Sequence, residues 1–371
     1  MNFIINVYNF NKMPSIILFY FILCVSILKI NSQRNLLEEG LSDDIIILHT
    51  NDIHCGIEDN IGYDGVMLYK KELKTKYKHV LLVDAGDHIQ GGPIGLLSKG
   101  KDLIDIMNYM EYDIVTIGNH EFDYKVEQLI ELNNTLNQGY ICANFLFKNK
   151  SKIFQPYNIV KLEENLKIGF IGVVTPQSFT RTYLNNLVDK DGNLIYDFLI
   201  ENNGKELYKK IQDYIDEIRK DKDVKYVIIL SHLGYGGDVP EEFTSKGLLA
   251  NIKGVDAIID GHTHLEYNST YKDKDGKDVY ISQAGTKFKK VGKLTIKDDG
   301  NITSELIGEI PLFNDYNYSN IYTVNRNCTS RKARSVFLQV PCLPVTCHKY
   351  RICLCQTVAS CRSTHCNNVR T

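Results

Sequence analysis

Hydrophobic residues in this chain gather in short runs separated by amphipathic stretches, and the two spacings predict different elements. Ile45 to Leu48, Val80 to Val83, Asp113 to Ile117, Ile168 to Val174, Val224 to Leu230 and Val255 to Ile259 are compact and mostly aliphatic, the pattern of buried strands. Between them, Lys205 to Lys220 sets Leu207, Ile211, Tyr214, Ile215 and Ile218 on one helical face, with Lys and Asp opposite. Asp102 to Met110 and Val126 to Leu136 repeat the helical spacing. After Lys277 the pattern turns to strands without helices, through Val279 to Gln283, Val291 to Ile296 and Ile302 to Ile307. The expectation is an α/β layered domain over residues 43–312, with a more antiparallel portion at its end and no internal repeat.

The two ends follow other rules. Lys12 precedes an apolar run from Ile16 to Ile30, broken only by Ser26 and Lys29 and followed by the polar Asn31-Ser32-Gln33-Arg34. Its uninterrupted apolar block is short for a membrane span and suits a secretory signal peptide over residues 1–33, which predicts a secreted protein. The alternative is an uncleaved anchor, and only then is a membrane an expected partner. Asn-x-Ser/Thr triplets at Asn133, Asn149, Asn268, Asn301, Asn317 and Asn327 fit that route without proving it. Charge adds a second boundary. The net charge of −2 excludes a global attraction to nucleic acid, yet residues 1–315 carry −10 and residues 316–371 carry +8, with no Asp or Glu. Seven of the ten cysteines also lie in that stretch. Residues 313–371 therefore read as a basic Cys-rich tail. It is either a small disulfide-stapled module or, on the blander reading, an out-of-register or unspliced sequence with no fold of its own, and no function is assigned to it.

Chemistry-bearing side chains follow the predicted strands. After the first comes His49-Thr50-Asn51-Asp52-Ile53-His54; after the second, Asp84-Ala85-Gly86-Asp87-His88; after the third, Gly118-Asn119-His120-Glu121-Phe122-Asp123. The fifth is followed by Ser231-His232 and the sixth by Gly261-His262-Thr263-His264. Each fragment alone has a bland reading as a turn, a helix cap or a core histidine. Five in succession at strand C-terminal ends, where loops of an α/β sheet converge, point to one site built of metal-ligand types. Nitrogen and oxygen donors without thiolate favour Zn, Mn or Fe.

The series Asp52-x-His54, Gly86-Asp87, Gly118-Asn119-His120-Glu121, His232 and Gly261-His262-x-His264 resembles the calcineurin-like metallophosphoesterase superfamily. The longer strings around Asp52, Asp87 and Asn119 are similar to the secreted 5′-nucleotidase and apyrase family. The resemblance covers about residues 44–311. It implies a four-layer α-β-β-α sandwich, two divalent metal ions and hydrolysis of phosphate monoesters or anhydrides of nucleotides, the expected small-molecule partner. Residue by residue, it implies Asp52, His54 and His264 on one metal, Asn119, His232 and His262 on the other, and Asp87 bridging. His120 would sit beside the leaving group, oriented by Asp123. Two cations of this kind acidify a shared water, which attacks phosphorus in line without a phosphoenzyme. His49, Cys55 and His88 are expected to stay outside the ligand set.

The resemblance has two departures. His264 stands where several nucleotidases carry an amide. The family's second domain, which stacks the base, follows the metal domain, and only about 60 residues remain after Pro311, so base recognition has no candidate residues here. Alternative readings are another phosphodiesterase or sugar-nucleotide hydrolase with the same core, or a non-catalytic metal-binding scaffold.

Overall fold

Each aliphatic run becomes a strand whose alternate residues face different layers. The structure is a computed structural model, described over residues 41–310; the expected leader and basic tail lie outside that range. In chain order the elements are β1 (Ser42–Thr50), α1 (Gly62–Leu73), β2 (Tyr77–Asp84), α2 (Pro93–Ser98), α3 (Lys101–Tyr109) and β3 (Ile114–Thr116). A 3₁₀ turn, His120–Phe122, precedes α4 (Val126–Thr135), β4 (Tyr140–Ile141), β5 (Leu146–Phe147), β6 (Tyr157–Glu163), β7 (Leu166–Val174), α5 (Ser178–Arg181) and β8 (Tyr196–Asp197). The remainder is α6 (Lys205–Asp221), β9 (Tyr226–His232), α7 (Ser245–Leu249), β10 (Ala257–Ile259), β11 (Glu266–Lys272), β12 (Asp278–Ala284), β13 (Val291–Ile296) and β14 (Ile302–Ile307).

Two six-stranded sheets result, in the orders β14-β13-β1-β2-β3-β4 and β11-β12-β10-β9-β7-β6. β1 to β4 are parallel in the first, and β12, β10, β9 and β7 in the second. Antiparallel strands close the edges: β13 and β14 on the first sheet, β11 and β6 on the second. The expected antiparallel portion is thus not separate. Its strands are dealt out to both sheets, because a period of two marks a strand without naming its neighbour.

The period of two also builds the layers. Ile46 and Leu48 of β1 pack with α1, α3 and α4 residues such as Val66, Leu103 and Leu129, whereas Ile45 and Ile47 face the second sheet. Phe170, Ile228 and Leu230 meet them from that sheet, and Ile171, Val227 and Ile229 turn the other way onto Leu207, Ile211 and Ile218 of α6. This is the four-layer α-β-β-α sandwich, and strands buried on both faces explain the continuous aliphatic runs. Each such side chain contributes about 1.5–3 kcal/mol by leaving water.

A histidine is among the polar side chains in the layer between the sheets. His49 continues the Ile45, Ile47 face of β1, is fully buried, and its Nε2 lies 3.1 Å from Ser282 Oγ on β12, tying one sheet to the other. Its ring packs onto Gly292 of β13, where an added Cβ would overlap it. Burial lowers the His49 pKa from 6.5 to about 3, so the folded protein holds it neutral while the unfolded chain protonates it near 6.5. The resulting stability is complete above pH 6.5 and is lost as pH falls toward 3, at up to about 1.4 kcal/mol per unit. Urea unfolding of His49→Phe at pH 7, 6 and 5 is expected to show a shallower acid decline than wild type, and an identical decline would contradict this role.

Candidate metal centre

Six parallel strands, β1, β2 and β3 from one sheet and β10, β9 and β7 from the other, end at the same edge of the sandwich, and their loops form the site. The loops after β1 and β2 continue to pair beyond the strands. Asp52 N–H donates to the Gly86 carbonyl and His54 N–H to the Asp87 carbonyl, each at 2.9 Å. Small residues let the loops close up. A Cβ on Gly118 would strike the Asp87 carboxylate, and one on Gly261 would lie 2.7 Å from His232 Nδ1 and 3.1 Å from Asp52 Oδ2. Several side chains are aimed by strained backbone: φ is 50° at Asp52, 47° at His54, 58° at Asp87, 83° at His262 and 56° at His264. Each such left-handed residue costs about 1–2 kcal/mol, which the surrounding hydrogen bonds must offset.

Two clusters of donors share Asp52: Asp52, His54 and His264 in one, and Asp52, Asp87 and His232 in the other, with the donor atoms of each within 4.8 Å of one another. His264 Nε2 lies 3.3 Å from Asp52 Oδ1 and His232 Nε2 lies 3.1 Å from Asp87 Oδ2. Second partners choose which nitrogen points inward. His54 Nδ1 is 3.1 Å from the Gln90 carbonyl and His232 Nδ1 is 2.6 Å from the Ala85 carbonyl, so each donates outward and turns its Nε2 toward the centre. His54 Nε2 and His264 Nε2 face each other at 3.0 Å.

Electrostatics of the bare residues call for positive charge. Burial disfavours the carboxylate of Asp87, yet His232 and the neighbouring imidazoles hold it well below its usual range, and Asp52 is lowered for similar reasons. Burial likewise opposes charge on His232, but Asp87 and Asp52 raise it to about 10. His264 is raised by its bond to Asp52, whereas burial and the charge of His232 lower His262 to about 4. Two buried atoms have no hydrogen-bond partner here, Asn119 Oδ1 and His232 Nε2. Unpartnered buried polar atoms, opposed imidazole nitrogens and two buried carboxylates fit a pair of divalent cations held by N and O donors.

His262 and Asn119 stand differently from the rest. The His262 N–H donates to both oxygens of Asp52, at 3.2 and 3.0 Å, and its Nε2 lies 2.7 Å from Gln177 Oε1. Asn119, next to His120 in the same loop, is buried and lines the cleft. His120 N–H donates to Asp87 Oδ1 at 2.8 Å, and its Nδ1 lies 2.7 Å from Asp123 Oδ2. Burial opposes charge on His120, but the Asp123 bond and Asp87 raise its pKa to about 9. Asp87, Asn119, His120, His262 and His264 all line an open cleft of about 410 Å³. The three side chains set aside in the sequence lie apart: His88 is bonded at both nitrogens, to Asp84 and Tyr140, Cys55 Sγ donates to the Ile89 carbonyl, and His49 is between the sheets.

Sequence reasoning missed the supports. Glu121 is fully buried and accepts the N–H groups of Gly118, Asp87 and His88 at 2.5, 2.8 and 3.0 Å, locking the loops of Asp87 and Asn119 together. Asn51 bonds Asp52 Oδ2, the Gly285 carbonyl and Ala284 N–H, which joins the β1 loop to the end of β12. The loop after β7, Thr175 to Thr182, holds no His, Cys, Asp or Glu and so gives no metal-site signal in the sequence. Nevertheless Gln177 touches His262, and Thr182 Oγ1 donates to Asp123 Oδ1 at 2.9 Å.

A four-layer sandwich with Asp and His donors gathered at its strand ends is the architecture of a metallophosphoesterase. The chain belongs to the calcineurin-like phosphoesterase family, whose sequence profile matches residues 45–266. Among curated relatives, the snake venom 5′-nucleotidase of Gloydius brevicauda is 27% identical over 303 residues, 70% of this chain and 47% of the relative. The 5′-nucleotidase of Bos taurus is 26% identical over 298 residues, 70% and 48% of the two. The 2′,3′-cyclic-nucleotide 2′-phosphodiesterase/3′-nucleotidase of Haemophilus influenzae is 27% identical over 271 residues, 64% and 39%. The chain thus spans about half the length, or less, of these relatives. The fold matches the 5′-nucleotidase precursor from Thermus thermophilus with a TM-score of 0.59 at 24% identity, over 72% of this chain and 55% of that one. It also matches the calcineurin-like phosphoesterase YfkN from Bacillus subtilis, with a TM-score of 0.58 at 24% identity, over 71% and 90%.

Because Asp52 belongs to both clusters, Asp52→Asn is expected to weaken binding at both metal positions, and Asp87→Asn to do the same. Metal titration of the purified variants is expected to show at least about 100-fold weaker Mn or Zn binding than wild type. Wild-type affinity at either position in Asp52→Asn would remove the shared role.

Proposed function

We propose that this chain is a two-metal hydrolase that cleaves phosphate monoesters or anhydrides of nucleotides. The observation that carries the reading is the His120–Asp123 pair beside the carboxylate and imidazole clusters in one cleft, since a metal-binding scaffold has no chemical use for it. In this reading Asp52, His54 and His264 hold one cation and Asn119, His232 and His262 the other, with Asp87 between them and Asp52 close to both. His262 would exchange Gln177 for the metal. Bound there, divalent cations supply positive charge for the phosphoryl oxygens and an acidified water as nucleophile.

The protein's own residues do the rest. His120 donates its Nδ1 proton to Asp123, which Thr182 holds by the other oxygen, so Nε2 is left for the group in the cleft. A proton held at that atom can pass to the departing alkoxide. Glu121 keeps the Asp87 and Asn119 loops in register during the exchange. The nucleotide part of the reading is supported by the 5′-nucleotidase relatives, and a diester alternative by the name of the Haemophilus influenzae relative.

Hydrolysis of AMP and ATP, read as released phosphate, of a UDP-sugar, read as UMP, and of bis(p-nitrophenyl) phosphate, read as p-nitrophenol, by the full chain with Mn or Zn and with chelator tests it. Chelator-sensitive phosphate release from AMP or ATP is expected, turnover of the diesters alone would favour the diester alternative, and no turnover of any of the four despite two bound metals would leave a binding scaffold. His120→Asn is expected to lower kcat by about 10²–10⁴-fold with metal content kept. An undiminished kcat would withdraw its role.

Secretion is part of the same proposal, supported by the apolar run before Asn31 and the venom origin of one relative. Among the described residues no helix is long and apolar enough to cross a membrane. Expression in a eukaryotic host is expected to place protein beginning after residue 33 in the medium, and retention of an uncut chain in membranes would reverse this.

A further inference from the structure

The loop after β7 brings no expected metal donor, yet it grips the site at several points. Gln177 meets His262 at 2.7 Å, and its Nε2 donates to the Asp238 carbonyl at 3.0 Å. One helical turn further on, Arg181 enters the cleft and its guanidinium pairs with the Asp238 carboxylate. Among the described residues lining the cleft, Arg181 is the one Lys or Arg, and it stands with Asp87, Asn119, His120, His262 and His264 around the same space.

The pair is built to come apart. Its side chains are 45% and 68% exposed, and exposed ion pairs contribute at most about 1 kcal/mol. Asp238 follows Gly236 and Gly237, whose φ values are 72° and 70° and around which a Cβ would meet nothing within 4 Å. The space on the Cβ side of those two glycines is open, so the segment before Asp238 has room to move on that side.

We propose that Arg181 is a substrate-binding residue for a terminal phosphate and that Asp238 is the internal anion it gives up when that phosphate arrives. The proposal rests on the phosphoester reading above and narrows it to a substrate class. A terminal phosphate carries a second negative charge and a third non-bridging oxygen that an internal diester lacks. The flat fork of guanidinium donors suits such oxygens. A group that must also meet the centre formed by Asp52, Asp87 and their imidazoles therefore gains most from Arg181 if it is a terminal phosphate.

The test compares full-length wild type with Arg181→Ala, Arg181→Lys and Asp238→Asn in the presence of Mn. The readouts are kinetics on p-nitrophenyl phosphate and bis(p-nitrophenyl) phosphate, and calorimetric affinity for inorganic phosphate. Arg181→Ala is expected to raise KM for the monoester about tenfold, to weaken phosphate binding by a similar factor, and to lower the monoester-to-diester ratio of kcat/KM at least about threefold. Arg181→Lys is expected to recover part of this, and Asp238→Asn to tighten phosphate binding. If Arg181→Ala and Asp238→Asn weaken phosphate alike, the pair is only a loop latch and the proposal falls. Phosphate affinity within twofold of wild type in Arg181→Ala, or an unchanged monoester-to-diester ratio, also overturns it. A wild type without turnover whose phosphate binding still depends on Arg181 would sink the catalytic reading and keep this one.

Discussion

Two buried carboxylates with a shared set of imidazoles are the constraint on which the rest of this protein depends. Asp52 and Asp87 are at most 1% exposed, and charges removed from water are tolerated only when opposite charge and N–H donors surround them. Both are supplied from several directions. Asp52 takes the His262 N–H and the Asn51 amide, and Asp87 takes the His120 N–H, while His54, His232 and His264 stand around the pair. The same carboxylates and imidazoles form the donor clusters that could hold cations.

Holding that arrangement has a backbone cost, and the fold meets it locally. Five of the proposed ligand residues lie at positive φ, a conformation a side chain adopts only where the surroundings leave no other. Glu121 collects N–H groups from two ligand loops, the β1 and β2 loops pair past their strands, and glycines at 118 and 261 let neighbouring loops touch. A carboxylate in the fourth position of Gly118-Asn119-His120-Glu121 is therefore a positioning group, and its motif mixes residues that would meet substrate with one that holds the loops.

The two sheets contribute unequally. The first supplies Asp52, His54, Asp87, Asn119 and His120, and the second His232, His262 and His264 together with the loop that carries Gln177, Arg181 and Thr182. The cleft therefore has one wall from each half of the sandwich, and His49 and Asn51 fix the halves relative to each other through Ser282, Ala284 and Gly285. Stability between the sheets and geometry at the metals are in this sense one property. A shift of either sheet would separate Asp52 from His264.

By itself the sequence determined the strands, the order of the loops that carry Asp, His and Asn and the residue types at their ends, because a strand buried on both faces must be aliphatic and a cation site must offer N and O donors. Ile45–Leu48 before Asp52 and Val227–Leu230 before His232 carry both signals within a few residues. The tertiary structure decided what depends on distance between segments far apart in the chain. It placed β13 beside β1 and β12 beside β10, gave Asp52 to both donor clusters, turned His262 toward Gln177, and set Arg181 against Asp238. None of these leaves a periodic trace, since a hydrogen bond or ion pair across 57 residues asks only for one polar side chain at each end, and only the packing of the two sheets brings those ends together.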